Sequence, residues 1–239
     1  MANFRSPAAV LLDIDGTLLE SNDAHATSWV QTFERHGRSV PFARVRPLIG
    51  KGGDKILAEL LGIGADEPLG RRLSEDRRRI FRERHLPRLR PTPGARALLE
   101  RMRAERLALV VATSATGEEL RALLRQAGVD DLITDSATSS DAERSKPDPD
   151  IVGAALARSG VGAEHALMLG DTPYDIAAAR AAGVATIALR CGGWGDAALA
   201  DAIAIYDDPA ALLDDWERSP LHRRVRARVA ETATSSASP

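Results

Sequence analysis

The chain has 239 residues, of which 44% are hydrophobic and 28% charged, and its formal net charge is −2. This composition is typical of a globular protein, and the near-neutral charge argues against a surface that binds nucleic acid or an anionic membrane. The single cysteine, Cys191, excludes an intramolecular disulfide and a cysteine-based zinc site. No apolar run reaches the roughly 18 residues of a membrane span, and the first seven residues do not resemble a secretory signal, so we expect a soluble, cytoplasmic protein.

Short apolar runs alternate with helical patterns along most of the chain. Apolar runs that end in a turn are typical of strands buried on both faces of a parallel sheet. Strands are predicted at 8–14, 107–112, 131–134 (a short one), 166–169, 184–189 and, with a weaker pattern, 203–206. Helices are predicted between them at 93–105, 117–127, 148–159 and 173–182. The alternation predicts an α/β fold, a doubly wound Rossmann-like parallel sheet.

The alternation is interrupted between residues 21 and 87, where only helical patterns occur. Trp29 and Phe33 fall on the apolar face of one helix, and 67–86 is highly charged, which predicts a solvated helix. We therefore expect an inserted all-helical cap domain at 21–87. The α/β core comprises 1–20 and 88–218, and the arginine-rich and then Ser/Thr/Ala-rich stretch 219–239 is predicted to be a flexible tail.

Polar side chains stand at the carboxyl ends of three predicted strands. They are Asp13 and Asp15 after the first strand, Thr113 and Ser114 after the second, and Asp171 and Asp175 after the strand 166–169. Ligands bind at this edge of an open parallel sheet, so we expect these residues to converge. Crowded carboxylates raise one another's pKa unless a cation neutralises them, and oxygen ligands without His or Cys favour Mg²⁺. Taken singly, each position also has a structural explanation, such as a turn or a helix cap.

Together these residues resemble the four motifs of the haloacid dehalogenase-like (HAD) hydrolase superfamily. The motifs are DIDGTL at 13–18, Thr113 after LVVA, Lys146 in SKPDPD, and GDTPYD at 170–175. The likeness covers roughly residues 8–216. The inserted helices resemble the cap of the family's phosphoglycolate phosphatase and β-phosphoglucomutase-like branch. Glu20 stands where that branch often has aspartate, and it keeps the charge.

The resemblance implies a role for each catalytic residue. Asp13 would be the nucleophile that forms an aspartyl-phosphate, and Asp15 would be the general acid and then the general base. Thr113 and Lys146 would bind the phosphoryl oxygens, where charge must be neutralised during the transfer. Because a haloacid leaving group needs no proton, Asp15 favours phosphoryl chemistry over dehalogenation.

The resemblance also implies a Mg²⁺ cofactor. Its ligands would be the Asp13 carboxylate, the backbone carbonyl of Asp15, and Asp171. Asp175 would be either a further ligand, through water, or a partner that orients Lys146.

The substrate contacts are less determined. Lys51 is one of only three lysines and lies in the glycine-rich segment IGKGGDK at 49–55, which is either a substrate contact or an interhelical turn. Ser114 is a further candidate for substrate binding beside Thr113. His25 either faces the active site or has a structural role, and Trp29 is expected to pack within the cap.

The expected function is a Mg²⁺-dependent phosphatase that acts on a small phosphorylated metabolite, such as phosphoglycolate or a sugar phosphate. A phosphomutase of the β-phosphoglucomutase type is an alternative, since it shares the nucleophile and the acid/base. A non-catalytic binding relative is a weaker alternative, because all catalytic positions are filled. We expect no nucleic-acid or membrane partner, and a monomer or homodimer.

Overall fold

The computed structural model of the chain describes residues 7–222. Its six strands form one parallel sheet in the order β3-β2-β1-β4-β5-β6. They are β1 (Ala9–Leu12), β2 (Ala108–Ala112), β3 (Asp135–Ala137), β4 (Ala166–Gly170), β5 (Ala185–Leu189) and β6 (Ala204–Tyr206). β2 and β3 lie on one side of β1, and β4 to β6 lie on the other. The carboxyl ends of β1 and β4 thus border the topological switch point, where an open α/β sheet binds its ligands. The predicted α/β Rossmann-like fold is confirmed.

Helices cover both faces of the sheet. One face carries α5 (Ala95–Ala104), α6 (Gly117–Ala127) and α10 (Pro209–Asp214), and the other carries α7 (Asp150–Ser159) and α8 (Pro173–Ala181). The short α9 (Asp196–Leu199) follows β5. Successive residues of β1 point to opposite faces, so Val10 and Leu12 join one core and Leu11 joins the other. Burial on both faces explains the unbroken apolar run of β1.

The segment between β1 and α5 contains four α-helices and a core of its own. The helices are α1 (Asn22–Arg35), α2 (Phe42–Val45), α3 (Gly53–Leu61) and α4 (Pro68–Ile80), and a π-helical turn follows at Phe81–His85. Trp29 stacks on Phe33, and both pack with Ile56, Leu57 and Leu73. We call residues 22–88 the cap segment, and the domain boundaries at 20/21 and 87/88 stay a prediction.

One predicted strand is wrong. Residues 131–134 form a turn and loop, and β3 begins at Asp135 instead. Leu132 is buried in the core from this loop, which explains the apolar pattern without a strand. The actual strand has the sequence Asp-Ser-Ala and lies at the edge of the sheet, so it lacks the apolar run that marks the central strands.

Two further boundaries differ from the prediction. The helix expected at 67–86 ends as an α-helix at Ile80, and both Ile80 and Phe81 are fully buried although their segment is highly charged. Ser219 and Leu221 are also fully buried, so the packed chain continues beyond the predicted start of the tail. The rest of the predicted tail, 223–239, lies outside the described residues. No helix within 7–222 combines the length and hydropathy that crossing a membrane requires.

Candidate active site

The loop after β1 carries Asp13 and Asp15 and turns sharply at Gly16. The Asp13 N–H continues the ladder by donating to Leu169 O over 2.9 Å. Gly16 has a φ of +84°, and a Cβ on it would lie 2.3 Å from a carboxylate oxygen of Asp171. Only glycine fits this position, because the turn needs both a left-handed backbone and a close approach to Asp171.

Lys146 binds two carboxylates in the interior of this site. Its ammonium lies 2.6 Å from Asp13 Oδ1 and 2.7 Å from Asp175 Oδ1. Burial raises the pKa of Asp13 well above its usual value, although Lys146 opposes this shift. Burial alone would lower the pKa of Lys146, but the two carboxylates outweigh it and raise that pKa. Lys146 therefore carries a fixed positive charge beside Asp13.

Asp175 is fixed at the start of α8 by a capping box. Its Oδ2 accepts hydrogen bonds from the Thr172 N–H (3.1 Å) and the Thr172 hydroxyl (2.7 Å). The other oxygen, Oδ1, forms the ion pair with Lys146. Asp175 is thus held in a position that orients the Lys146 side chain.

Asp171 follows β4 and completes a buried acidic cluster. It accepts hydrogen bonds from Thr17 Oγ1 (3.0 Å) and Asn22 Nδ2 (2.8 Å). Burial, followed by the Asp175 charge, raises the pKa of Asp171 to about 7, even though Asn22 and Thr17 favour the charged form. Asp13, Asp171 and Asp175 each offer an oxygen within 4.8 Å of the others. This donor set suits a hard divalent cation.

Asp15 is held by residues of the cap segment and of the loop that precedes it. Its Oδ1 accepts from Ser21 Oγ over 2.5 Å and lies 2.8 Å from His25 Nε2. Burial raises the pKa of Asp15, but His25, Ser21 and Arg77 outweigh burial, and the pKa is lowered overall. Because Arg77 donates to His25 Nδ1, the hydrogen bonds assign the proton of a neutral His25 to Nε2, facing Asp15.

His25 belongs to a chain of contacts that crosses from the cap segment to the core. Its ring stacks on Phe81 with centroids 3.9 Å apart, and its Nδ1 lies 3.3 Å from an amino nitrogen of Arg77. That nitrogen also donates to Glu119 Oε1 on α6 over 2.8 Å. The guanidinium lies 5.7 Å from the ring centre of Trp29. The structure therefore places His25 at the site, the first of the two alternatives that the sequence left open.

The remaining candidates line one cleft with Asp13 and Lys146. Thr113 is buried, and its hydroxyl accepts from the Ala115 N–H over 3.1 Å. Ser114 and Lys51 line the same cleft, whose volume is about 70 Å³. The Lys51 ammonium pairs with Glu59 and lies 5.0 Å from the ring centre of Tyr174. Lys51 thus reaches the cleft while its charge is already compensated.

Sequence analysis missed several polar residues of the site. Among them, Thr17, Ser21, Asn22 and Arg77 touch predicted residues, and Glu119 touches Arg77. The first two lie within or beside the DIDGTL motif, and their proximity in sequence was a usable signal. Arg77 and Glu119 are 42 positions apart, and nothing in the sequence pairs them.

Comparison with known proteins identifies the family of this site. Residues 10–189 match the haloacid dehalogenase-like hydrolase family. The chain belongs to this family. The phosphoglycolate phosphatase of Rhodospirillum rubrum is 32% identical over 88% of this chain and 90% of its own. A phosphorylated carbohydrates phosphatase of Thermotoga maritima is 28% identical over 75% of this chain and 83% of its own.

A solved structure agrees with these relatives. A hydrolase from Pseudomonas syringae superposes with a TM-score of 0.82 at 28% identity, covering 88% of this chain and 98% of that one. The predicted branch, that of phosphoglycolate phosphatases and β-phosphoglucomutase-like proteins, is confirmed. The HAD-like chain is a phosphomonoester hydrolase.

Proposed function

We propose that this HAD-like chain is a Mg²⁺-dependent phosphatase that hydrolyses a small phosphorylated metabolite through an aspartyl-phosphate at Asp13. The observation that carries the proposal is the convergence of Asp13, Asp15 and Lys146 in one cleft at the carboxyl edge of the sheet. Thr113 lines the same cleft from the next strand. A nucleophile, an acid/base and a cation for the phosphoryl oxygens are thus within one small volume.

The first step joins the phosphoryl group to Asp13. A carboxylate oxygen of Asp13 attacks phosphorus, and the bond from phosphorus to the leaving oxygen breaks. The carboxylic acid form of Asp15 gives its proton to that oxygen, so the leaving group departs as an alcohol. Lys146 and the Thr113 hydroxyl face the phosphoryl oxygens, where negative charge is concentrated during the transfer.

The second step releases phosphate. The Asp15 carboxylate left by the first step removes a proton from water, whose oxygen attacks phosphorus. The acyl-phosphate P–O bond breaks, which restores the Asp13 carboxylate and frees inorganic phosphate. The contacts from Ser21 and His25 hold Asp15 in place and favour its charged form, which suits the base in this step.

The site fits a Mg²⁺ ion. Three carboxylates lie within 4.8 Å of one another, and the raised pKa values of Asp13 and Asp171 report the repulsion and desolvation that a cation would relieve. Asn22 Oδ1, beside Asp171, is buried without a hydrogen-bond partner in residues 7–222 and can accept from a water of the ion's shell. We assign the ion to Asp13, Asp171 and the Asp15 carbonyl. When bound, Mg²⁺ supplies positive charge for the transferred phosphoryl group.

The class of substrate follows the relatives. One is a phosphoglycolate phosphatase and another a phosphatase of phosphorylated carbohydrates. Phosphoglycolate or a sugar phosphate is therefore the first substrate type to test.

The test measures phosphate release from a panel of phosphorylated metabolites, with Mg²⁺ and with EDTA. We expect release that needs Mg²⁺ and disappears in Asp13→Asn. Rapid acid quenching followed by mass spectrometry of the peptide containing Asp13 should find a phosphoryl group on that residue. Activity retained in EDTA, or in Asp13→Asn, would contradict the proposal, and transfer to a second sugar hydroxyl with little free phosphate would indicate a mutase.

A further inference from the structure

The catalytic cleft shares part of its lining with a larger cavity between the cap segment and the core. This outer cavity has a volume of about 420 Å³, against about 70 Å³ for the cleft itself. The residues common to both linings are Trp29, Gly52, Gly53, Arg77, Ser114 and Glu119. The phosphoryl group belongs beside Asp13, so the rest of a substrate must pass these shared residues to reach the outer cavity.

Three buried polar atoms at this junction have no hydrogen-bond partner within the described part of the chain. They are Arg77 Nε, Glu119 Oε2 and Ser114 Oγ. The Arg77–Glu119 ion pair joins Arg77 Nη1 to Glu119 Oε1 over 2.8 Å, and the two side chains are only 15% and 10% exposed. A buried polar group that stays unpaired destabilises a protein. These atoms are therefore available to polar groups of a ligand.

The chemistry of the unpaired atoms selects among ligands. Arg77 Nε–H can only donate, and the carboxylate oxygen of Glu119 can only accept. A hydroxyl group both donates and accepts, so one or two hydroxyls satisfy both atoms. A carboxylate on the substrate would satisfy Arg77 but leave Glu119 Oε2 unpaired, and it would place a second negative charge beside Glu119 in a site with little water.

The lining of the outer cavity has no excess of positive charge that would offset the repulsion between Glu119 and a substrate carboxylate. Its charged lining residues are the arginines Arg71, Arg77 and Arg78 and the acids Asp54, Glu75, Glu119 and Glu143. Hydroxyl side chains, Ser74 and Ser139 among them, line the same space. Mixed charge and many hydroxyls suit a polar, uncharged, hydroxyl-rich group.

We propose that Arg77 and Glu119 form a specificity site that recognises hydroxyl groups on the leaving group. The preferred substrate is then the phosphate ester of an uncharged polyhydroxylated alcohol, such as a sugar, rather than the ester of a hydroxy acid. This inference rests on the proposed phosphatase function and narrows its substrate class. It differs from the substrate named for the Rhodospirillum rubrum relative, which is an acid.

The test compares kcat/KM for esters matched in size that differ in a carboxylate. The pairs are glycerol 3-phosphate with 3-phosphoglycerate, and glucose 6-phosphate with 6-phosphogluconate. We expect the ester without a carboxylate to be preferred at least about tenfold in each pair, because sites built for hydroxyl groups discriminate strongly. Glu119→Gln removes the negative charge at nearly constant volume and should reduce that preference about tenfold.

Glu118→Gln provides the matched control. Glu118 precedes Glu119 on α6 and also pairs with an arginine of the cap segment, Arg82, but this pair is exposed and lies outside both linings. The control should keep the wild-type preference.

The outcomes separate this inference from the proposed function. The inference is overturned if the wild type prefers the acid esters, or if a folded Glu119→Gln keeps the wild-type preference. In either case, Mg²⁺-dependent hydrolysis of p-nitrophenyl phosphate would still support the proposed phosphatase function. The wild-type ratio is decisive even where Glu119→Gln does not fold. Phosphate release from none of the four esters and none from p-nitrophenyl phosphate overturns the proposed function and this inference together.

Discussion

Lys146 donates to Asp13 Oδ1 over 2.6 Å, although the two residues are 133 positions apart in the chain. Both are buried, and the same ammonium also reaches Asp175. The lysine therefore balances the charge of the nucleophile before a substrate arrives and can balance the phosphoryl charge afterwards. An exposed pair of the same kind would be weak, but burial makes this one sensitive to loss of either partner.

Lys146→Met should lower kcat/KM for phosphate esters by about 10²–10³-fold, because the phosphoryl oxygens lose a buried charged donor. Steady-state kinetics with saturating Mg²⁺ provide the measurement. Lys55→Met is the control, since Lys55 forms a partly exposed ion pair with Asp148 and lies outside the cleft. The control should stay within about threefold of wild type, as expected for a surface pair. Comparable losses in both variants would argue against a specific role for Lys146.

His25→Phe should move the acidic limb of the kcat–pH profile to higher pH. The variant keeps the stack on Phe81 but removes a donor that favours the charged form of Asp15, so the pKa of Asp15 rises. The base is then protonated at a higher pH. We would use p-nitrophenyl phosphate, whose leaving group needs no proton, so that kcat reports the step in which Asp15 acts as base.

A second His–Asp pair supplies the control for this profile. His36 Nε2 lies 2.7 Å from Asp76 Oδ2 in the cap segment, outside the catalytic cleft. His36→Phe should leave the limb where it is. An acidic limb that does not move in His25→Phe would contradict the coupling between His25 and Asp15.

The sequence predicted the central sheet well and its edge poorly. The strands buried on both faces, such as β1 and β4, are marked by continuous apolar runs. The edge strand β3 reads Asp-Ser-Ala, and a nearby loop residue, Leu132, supplied a misleading apolar signal. Burial, and not strand formation itself, produces the pattern that sequence analysis detects.

The residues of the site also divide into those that the sequence predicted and those that it did not. Asp13 and Asp15 were predicted because their chemistry is concentrated in a short motif at the end of a strand. Arg77 and Glu119 were not, because each is one of many charged residues on a helix, and they meet only in the folded chain. Contacts between an inserted segment and its core are tertiary, so single-sequence periodicity does not report them.

Asp171→Asn should stabilise the protein in EDTA at neutral to mildly alkaline pH. The pKa of Asp171 is about 7 in the folded chain against 3.8 for the ordinary group. Its contribution to stability is therefore present below pH 3.8 and is lost as the pH rises through 7. Removing the charge restores that stability, and the melting temperature should rise about 2–4 °C for each kcal/mol regained.

With Mg²⁺ present, the wild type should gain more in melting temperature than Asp171→Asn does. Mg²⁺ should raise the melting temperature of wild type, since it binds the folded site, and should have much less effect on Asp171→Asn. Asp196→Asn is the control, because Arg190 lowers the pKa of this exposed carboxyl and its removal brings no gain in EDTA. Equal melting temperatures for wild type and Asp171→Asn in EDTA would contradict the prediction that the buried Asp171 charge destabilises the metal-free protein.

Gly192→Ala should destabilise the chain by about 1–3 kcal/mol, because a Cβ at this position would overpack a buried site. That Cβ would lie 1.7 Å from Asp171 Oδ2, a fixed carboxylate rather than a flexible surface group. Gly195→Ala is a matched control in the same loop, with no heavy atom within 4 Å of the added carbon. Urea unfolding in EDTA compares the two variants. Displacement of Asp171 in Gly192→Ala should also weaken Mg²⁺ activation, whereas equal stabilities for the two variants would mean that Asp171 can move away freely.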